Sequence, residues 1–130
     1  GYIPARNLIF YSLGAYFAEL DGTRYLVGGH NGTDPESFPD ASPRFFDSLN
    51  RTLRIGLWSF PSSPLEIVTP LSGKTKGDVL RLGTDLGVPF ELTWSCYWDR
   101  EIACGTCASC EERKQAFAEV GLEDPAAYRR

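Results

Sequence analysis

The sequence predicts an α/β protein: a mostly parallel sheet with helices on both faces, followed near the C-terminal end by a knuckle built on four cysteines. Three observations carry this expectation. Segments with helical periodicity alternate with strand-like segments, the order that gives right-handed crossovers and parallel strands. The two strand-like segments, near 24–27 and 65–69, are short and rich in β-branched and aromatic residues. All the cysteines of the chain lie between Cys96 and Cys110.

Each element has a local reason. From Pro4 to Leu20 the pattern is helical, and Ile9, Leu13, Tyr16, Phe17 and Leu20 form the stripe expected to be buried. Gly14 and Ala15 permit a close approach. Asp21-Gly22 turns the chain, and Arg24 to Val27 reads as the first strand. Gly28 to Ala41 reads as a loop on its glycine, proline and aspartate content. Ser42-Pro43 pairs an N-cap residue with a proline at the first helical position, and Phe45, Phe46, Leu49 and Leu53 give the following helix its apolar side, up to about Gly56. Leu65 to Thr69 reads as the second strand, stopped by Pro70. Thr75 and Asp78 approximate a capping box. Val79, Leu82 and Leu86 share one face of that helix, which Gly87 and Pro89 end. Glu111 to Val120 reads as the last helix, stopped by Gly121.

Two strands do not make a stable sheet of this kind. Further strands are expected from an upstream part of the chain or from another chain. The lack of any methionine, an initiator included, points the same way.

Composition narrows the function classes. With 42% hydrophobic and 23% charged residues the chain falls in the globular range, which excludes wholesale disorder. A net charge of −4 argues against nonspecific nucleic-acid binding. No apolar run approaches the roughly 20 residues that span a bilayer, and Gly1 to Asn7 carry no apolar h-region preceded by basic charge of the kind a secretory leader has. A soluble, cytoplasmic protein is expected.

The cysteines are spaced C-x7-C-x2-C-x2-C, as Cys96, Cys104, Cys107 and Cys110. Zinc prefers four tetrahedral thiolates in a closed structural site, with no position left open for catalysis. Gly105 eases the turn between Cys104 and Cys107. Arg100, Arg113 and Lys114 lie nearby in sequence to offset the excess negative charge, and the N-terminus of the helix after Cys110 is expected to point toward the sulfurs. Two disulfides, an iron–sulfur cluster and free thiols are the competing readings.

Gly28-Gly29-His30-Asn31-Gly32-Thr33-Asp34 follows a strand end, where open α/β folds bind ligands. An ordinary turn-rich loop accounts for the same residues. His30, the sole histidine, is either a structural hydrogen-bonder or a catalyst. Arg6-Asn7 at one helix start, and Lys74 and Lys76 around Thr75 at another, suit an anion or a solvated surface.

These motifs together resemble the C-terminal two-thirds of the 7-cyano-7-deazaguanine synthase family, in the PP-loop ATP pyrophosphatase superfamily. The matching pieces are Pro4-Ala5-Arg6-Asn7, Gly29-His30-Asn31 with Asp34, Phe38-Pro39-Asp40, Thr69-Pro70-Leu71 with Thr75-Lys76, and Leu92-Thr93-Trp94-Ser95-Cys96-Tyr97 through the later cysteines to Arg113, Phe117, Gly121 and Asp124-Pro125. The resemblance implies a Rossmann-like domain, its C-terminal part over residues 1–92, and a zinc knuckle with its helix over 93–130. It implies a cytoplasmic, ATP-dependent C–N ligase that converts 7-carboxy-7-deazaguanine and ammonia to 7-cyano-7-deazaguanine through an adenylated intermediate. That product is a precursor of queuosine and archaeosine in tRNA.

Zinc, ATP and Mg2+ are the cofactors so implied. Lys76 and Asp34 become the catalytic candidates, Lys76 as a phosphate contact. Arg6, Asn7, Asn31 and Asp40 become candidates for the nucleotide or deazapurine pocket, which Asp34 also lines. Expected partners are the deazapurine, ATP, ammonia, and either a second copy or a missing N-terminal half, with no direct nucleic-acid contact. The family's Ser-Gly-Gly-x-Asp-Ser phosphate loop is absent from the sequence, and its Pro-Asp-Cys-Arg is here Pro39-Asp40-Ala41-Ser42. Two alternatives remain: another PP-loop enzyme adenylating a different carboxylate, amide or tRNA base, and a noncatalytic zinc-binding interaction module.

Overall fold

The computed structural model describes residues 3–59, 62–98 and 101–129. It divides into two compact units, Gly1–Gly73 and Lys74–Arg130. The boundary at 92/93 expected from the sequence differs from this division, which places the helix after Thr75 in the second unit.

The first unit contains α1 (Arg6–Asp21), β1 (Tyr25–Val27), α2 (Asp34–Ser37), α3 (Pro43–Gly56) and β2 (Glu66–Val68), with a 3-10 turn over Pro39–Ala41. The strands pair in parallel, Leu26 opposite Ile67. The side chains of that pair point to one face, where Ala15 and Ala18 of α1 meet Phe46, Leu49 and Leu53 of α3 and Leu65 and Ile67 beside them. Tyr25 and Val27, on the opposite face, are exposed. The expected loop over 28–41 is a correction: Pro35 at the start of α2 and Pro39 at the start of the turn nucleate short helical pieces there.

Ser42 caps α3 as expected, its Oγ accepting from the Phe45 amide at 3.2 Å. Asn50 on this helix has a role not visible in the sequence. Its Nδ2 donates to the Ile67 carbonyl at 2.9 Å and its Oδ1 accepts from the Ile67 amide at 2.8 Å. The side-chain amide thus stands in for a neighbouring strand along β2.

The facing of α1 overturns an expectation. Asn7, Ala15 and Ala18 are buried, with Gly14 lying against Leu26. Ile9, Leu13, Tyr16, Phe17 and Leu20 are exposed, Leu20 by 66%. The helix is apolar on two sides, so periodicity finds a stripe but does not say which side faces this unit's sheet. Small residues made the closer approach, and the bulky stripe was left outward.

The second unit contains α4 (Lys76–Asp85), a 3-10 turn over Phe90–Leu92, and α5 (Ala108–Glu119). Thr75 and Asp78 complete the capping box at α4. Leu86, just past the end of α4, is exposed, and the buried positions of α4 are its glycines, Gly77 and Gly83. A Cβ on Gly83 would lie 2.7 Å from the Phe90 ring, which itself meets Phe117 edge-on at 5.4 Å. No helix among the described residues is long and apolar enough to cross a membrane.

Candidate metal centre and ligand cavity

Within the second unit, local chemistry brings the four cysteines together. The Trp94 indole N–H donates to the Cys96 carbonyl at 2.9 Å, bracing the first ligand. Gly105 adopts φ 74°, a left-handed turn that glycine takes without strain, between Cys104 and Cys107. Cys107 is the N-cap of α5 and Cys110 lies in its first turn. The last helix therefore starts before Cys110, not after it, because the C-x2-C spacing is itself one helical turn.

The sulfurs of Cys96, Cys104, Cys107 and Cys110 all lie within 4.8 Å of one another, with Cys104 and Cys110 at 3.9 Å. Tetrahedral zinc with Zn–S of about 2.3 Å separates its sulfurs by about 3.8 Å. The donor set and its spread therefore fit zinc. All four are free cysteines directed at one point, which disulfide pairing does not require.

Backbone amides prepare the sulfurs for negative charge. Cys96 Sγ accepts from the Trp98 and Cys104 amides at 3.5 and 3.4 Å. Cys104 Sγ accepts from the Thr106 and Cys107 amides at 3.4 and 3.3 Å. Led by the Thr106 amide, these contacts bring the Cys104 thiol down to about 6, and the Tyr97 amide lowers Cys107. Burial acts the other way on Cys110, pushing it up to about 12. A bound cation would reverse that penalty, since a coordinating thiol is deprotonated outright.

The cations near the knuckle divide their work. Lys114 Nζ donates to the Gly105 carbonyl at 2.7 Å and lies 5.8 Å from the Tyr128 ring centroid. The C-terminal segment returns to the knuckle, where Tyr128 bridges Ala103 and packs against the cysteine cluster. Arg113, expected to offset the thiolates, is instead committed to Asp124, at 2.9 Å from Nη2 to Oδ1. It also donates to the Thr93 and Phe90 carbonyls, both at 3.1 Å. Burial alone would raise the Asp124 carboxyl, but hydrogen bonds from Arg113, Tyr128 and the Ala126 amide hold it below the usual carboxylate range. Arg100 lies outside the described residues.

The first unit carries a cavity of about 400 Å³ lined by Arg6, Asn7, Phe10, Tyr11, Gly14, Leu26, Val27 and His30. It opens beside the C-terminal end of β1. Arg6, Asn7 and His30 are thus brought together. Asp40 is tied to the start of α1: its carboxylate accepts from the Asn7 amide at 3.1 Å, and its carbonyl accepts from Asn7 Nδ2 at 3.0 Å. The carboxylate satisfies one of the free amides at a helix N-terminus where the N-cap residue, Ala5, has no side-chain oxygen to do so. Asp34 Oδ2 accepts from the Asn31 amide at 2.9 Å and lies 3.8 Å from His30 Nδ1. Asn31 Oδ1 in turn accepts from the Thr33 amide and hydroxyl. Lys76 belongs to the second unit, where it pairs with Glu112 on the surface. Tyr11, which sequence reasoning missed, lines the cavity and bonds to His30; an i, i+19 contact leaves no mark in local spacing.

Known proteins are similar to this chain in sequence. Proteins named 7-cyano-7-deazaguanine synthase from Nostoc punctiforme and Thermoplasma acidophilum are 41% identical over 128 residues and 42% identical over 127 residues. The matches take in 98% of this chain but 57% and 53% of those relatives. The chain spans about half the length of the curated relatives it matches. A family model described as queuosine biosynthesis protein QueC matches residues 1–121, and the chain belongs to that family.

Proposed function

We propose that this chain is part of a cytoplasmic, ATP-dependent C–N ligase that converts 7-carboxy-7-deazaguanine and ammonia to 7-cyano-7-deazaguanine, in the supply of a queuosine precursor. The observation that carries the proposal is the gathering of Arg6, Asn7 and His30 around one cavity at the end of β1, in a chain of this family.

The chemistry sets the requirements. A carboxylate is a poor electrophile because its leaving group would be oxide. Transfer of AMP from ATP to the carboxylate, with release of pyrophosphate, creates a good leaving group. Ammonia then displaces AMP to give the amide. A second adenylation, on the amide oxygen, allows loss of AMP and a proton to leave the nitrile. Positioning and charge stabilisation are the protein's main tasks. Arg6 supplies positive charge at the cavity for the carboxylate or a phosphate. Asn7 and Asp40 hold the start of α1 so that Arg6 is presented there, and Asn31 and Asp34 order the loop that carries His30. Lys76 is the phosphate contact; its surface pairing with Glu112 is weak enough to exchange. Magnesium would shield the phosphates. Zinc would cross-link the knuckle. A phosphate loop must come from further protein, either more of the same polypeptide or a second chain.

A second reading is favoured by one observation. Ala41, buried in the 3-10 turn, and Ser42, committed to capping α3, stand where the family resemblance leads one to expect Cys-Arg. An enzyme of the same chemistry acting on a different carboxylate would fit that change.

The test is a reaction holding the zinc-loaded chain, ATP, Mg2+, ammonium and 7-carboxy-7-deazaguanine, completed with a separately produced polypeptide carrying the Ser-Gly-Gly-x-Asp-Ser loop. Mass spectrometry is expected to find the nitrile, AMP and pyrophosphate. AMP release with another carboxylate but not with this one would favour the second reading. No nucleotide cleavage and no binding of either substrate would overturn both.

A further inference from the structure

Tyr11 and His30 form a pair whose proton has one place to go. The Tyr11 hydroxyl lies 3.0 Å from His30 Nε2. It reaches that position across Gly28, where a Cβ would sit 2.0 Å from the hydroxyl oxygen. Both rings are braced by Phe46, each at 5.0 Å between centroids. On the other side of the imidazole, Nδ1 lies 3.8 Å from Asp34 Oδ2. Tyr11 and His30 both line the cavity.

Burial raises the Tyr11 phenol. It also lowers His30, with Asp34 and Asp40 opposing and Arg6 reinforcing that shift. Both side chains are therefore neutral at pH 7. A neutral imidazole carries one N–H, and the negative field of the Asp34 carboxylate, 3.8 Å from Nδ1 and beyond hydrogen-bond distance, favours the tautomer with that proton on Nδ1. Nε2 is left as an acceptor, so the Tyr11 hydroxyl is the donor in this bond. With its only proton given to His30, the phenol oxygen has nothing but lone pairs to offer a ligand.

We propose that Tyr11 is a specificity-determining residue of the cavity, its oxygen serving as a fixed acceptor that selects a heterocycle bearing an amino group over the analogue bearing a carbonyl there. This rests on the reading of the cavity as a purine-type site. Two sources supply that chemistry, the 6-amino group of an adenine nucleotide and the 2-amino group of a deazaguanine.

The experiment has two independent parts. Because His30 is the sole histidine, nitrogen-15 NMR of labelled chain reads a single imidazole. The expected result is a protonated Nδ1 and an unprotonated Nε2, with that preference lost in Tyr11→Phe and in Gly28→Ala. Calorimetry then compares adenosine with inosine, and 7-carboxy-7-deazaguanine with 7-carboxy-7-deazaxanthine, which bears a carbonyl in place of the 2-amino group. The amino member of the pair that occupies the site should bind about 10- to 100-fold more tightly, and Tyr11→Phe should level that pair. A protonated Nε2, or equal binding within both pairs in the unaltered chain, overturns the proposal. Failure of all four probes to bind despite the expected tautomer overturns the purine-site reading, and the selectivity proposal with it, while leaving the Tyr11–His30 bond established.

Discussion

Arg113 and Asp124 form an ion pair almost closed to water, each side chain only 9% exposed. Both Nε and Nη2 of the guanidinium donate to Asp124 Oδ1, at 3.0 and 2.9 Å, while Nη1 reaches the Thr93 hydroxyl at 2.7 Å. One side chain therefore ties together the segment before the cysteines, α5 and the segment after it. Arg113→Met leaves the Asp124 carboxylate and two carbonyls short of donors and is expected to cost about 3 kcal/mol. Denaturant unfolding of the zinc-loaded chain measures it. Arg113→Lys should recover only part, because an ammonium lacks the planar fork.

The same pair sets a pH dependence. The carboxyl of Asp124 is held below its usual range in the folded chain. Its contribution to stability is therefore complete above the unfolded carboxyl value, about pH 4, and is lost as the pH falls through the lower folded value. Unfolding curves between pH 7 and pH 3 should show this loss in the parent chain, and a smaller one in Arg113→Met.

Elemental analysis of chain purified under reducing conditions without chelator should find about one zinc per chain. Structural zinc sites of this type bind with on the order of 10 kcal/mol near neutral pH. Chelation should therefore unfold the second unit and remove the near-ultraviolet dichroism of Trp94 and Trp98. Affinity should fall as the pH is lowered, since binding displaces protons, Cys110 being protonated at neutral pH without the ion.

Asn50→Ala removes two hydrogen bonds to the Ile67 backbone at once. It leaves an edge amide and carbonyl of β2 without partners, and about 2 kcal/mol of stability should be lost. Amide exchange at Ile67, slow in the parent chain, should become fast.

Gly83→Ala tests the packing of α4. Its new methyl would fall 2.7 Å from the Phe90 ring, and the expected cost is about 1–3 kcal/mol despite alanine's better helix propensity. Thermal unfolding with zinc bound would show it.

What could be read from the sequence was what short-range chemistry decides. Ser42 before Pro43, Thr75 with Asp78, and the cysteine spacing each announce a local structure, and all three are present. Long-range choices left no such trace. Nothing near Asn50 marks it as a partner of Ile67, seventeen residues on, and nothing near Arg113 marks Asp124 rather than the thiolates as its counter-ion. The stripe on α1 was correctly found and wrongly faced, because Ala15 and Ala18 fit closely against the core while Phe17 and Leu20 do not. At the cavity, Arg6 and Asn7 stand out in the sequence as polar residues at a helix start, whereas Tyr11 is hidden among the apolar residues of its helix.

The outward stripe of α1 has a practical consequence. Greasy surface on that scale draws environment-sensitive dyes and neighbouring molecules even when every residue is correctly folded. A dye-reported melting scan of this chain should begin bright rather than dark, and its light scattering should rise with concentration. Replacing Phe17 and Leu20 with glutamate should quiet both without moving the unfolding temperature read by circular dichroism.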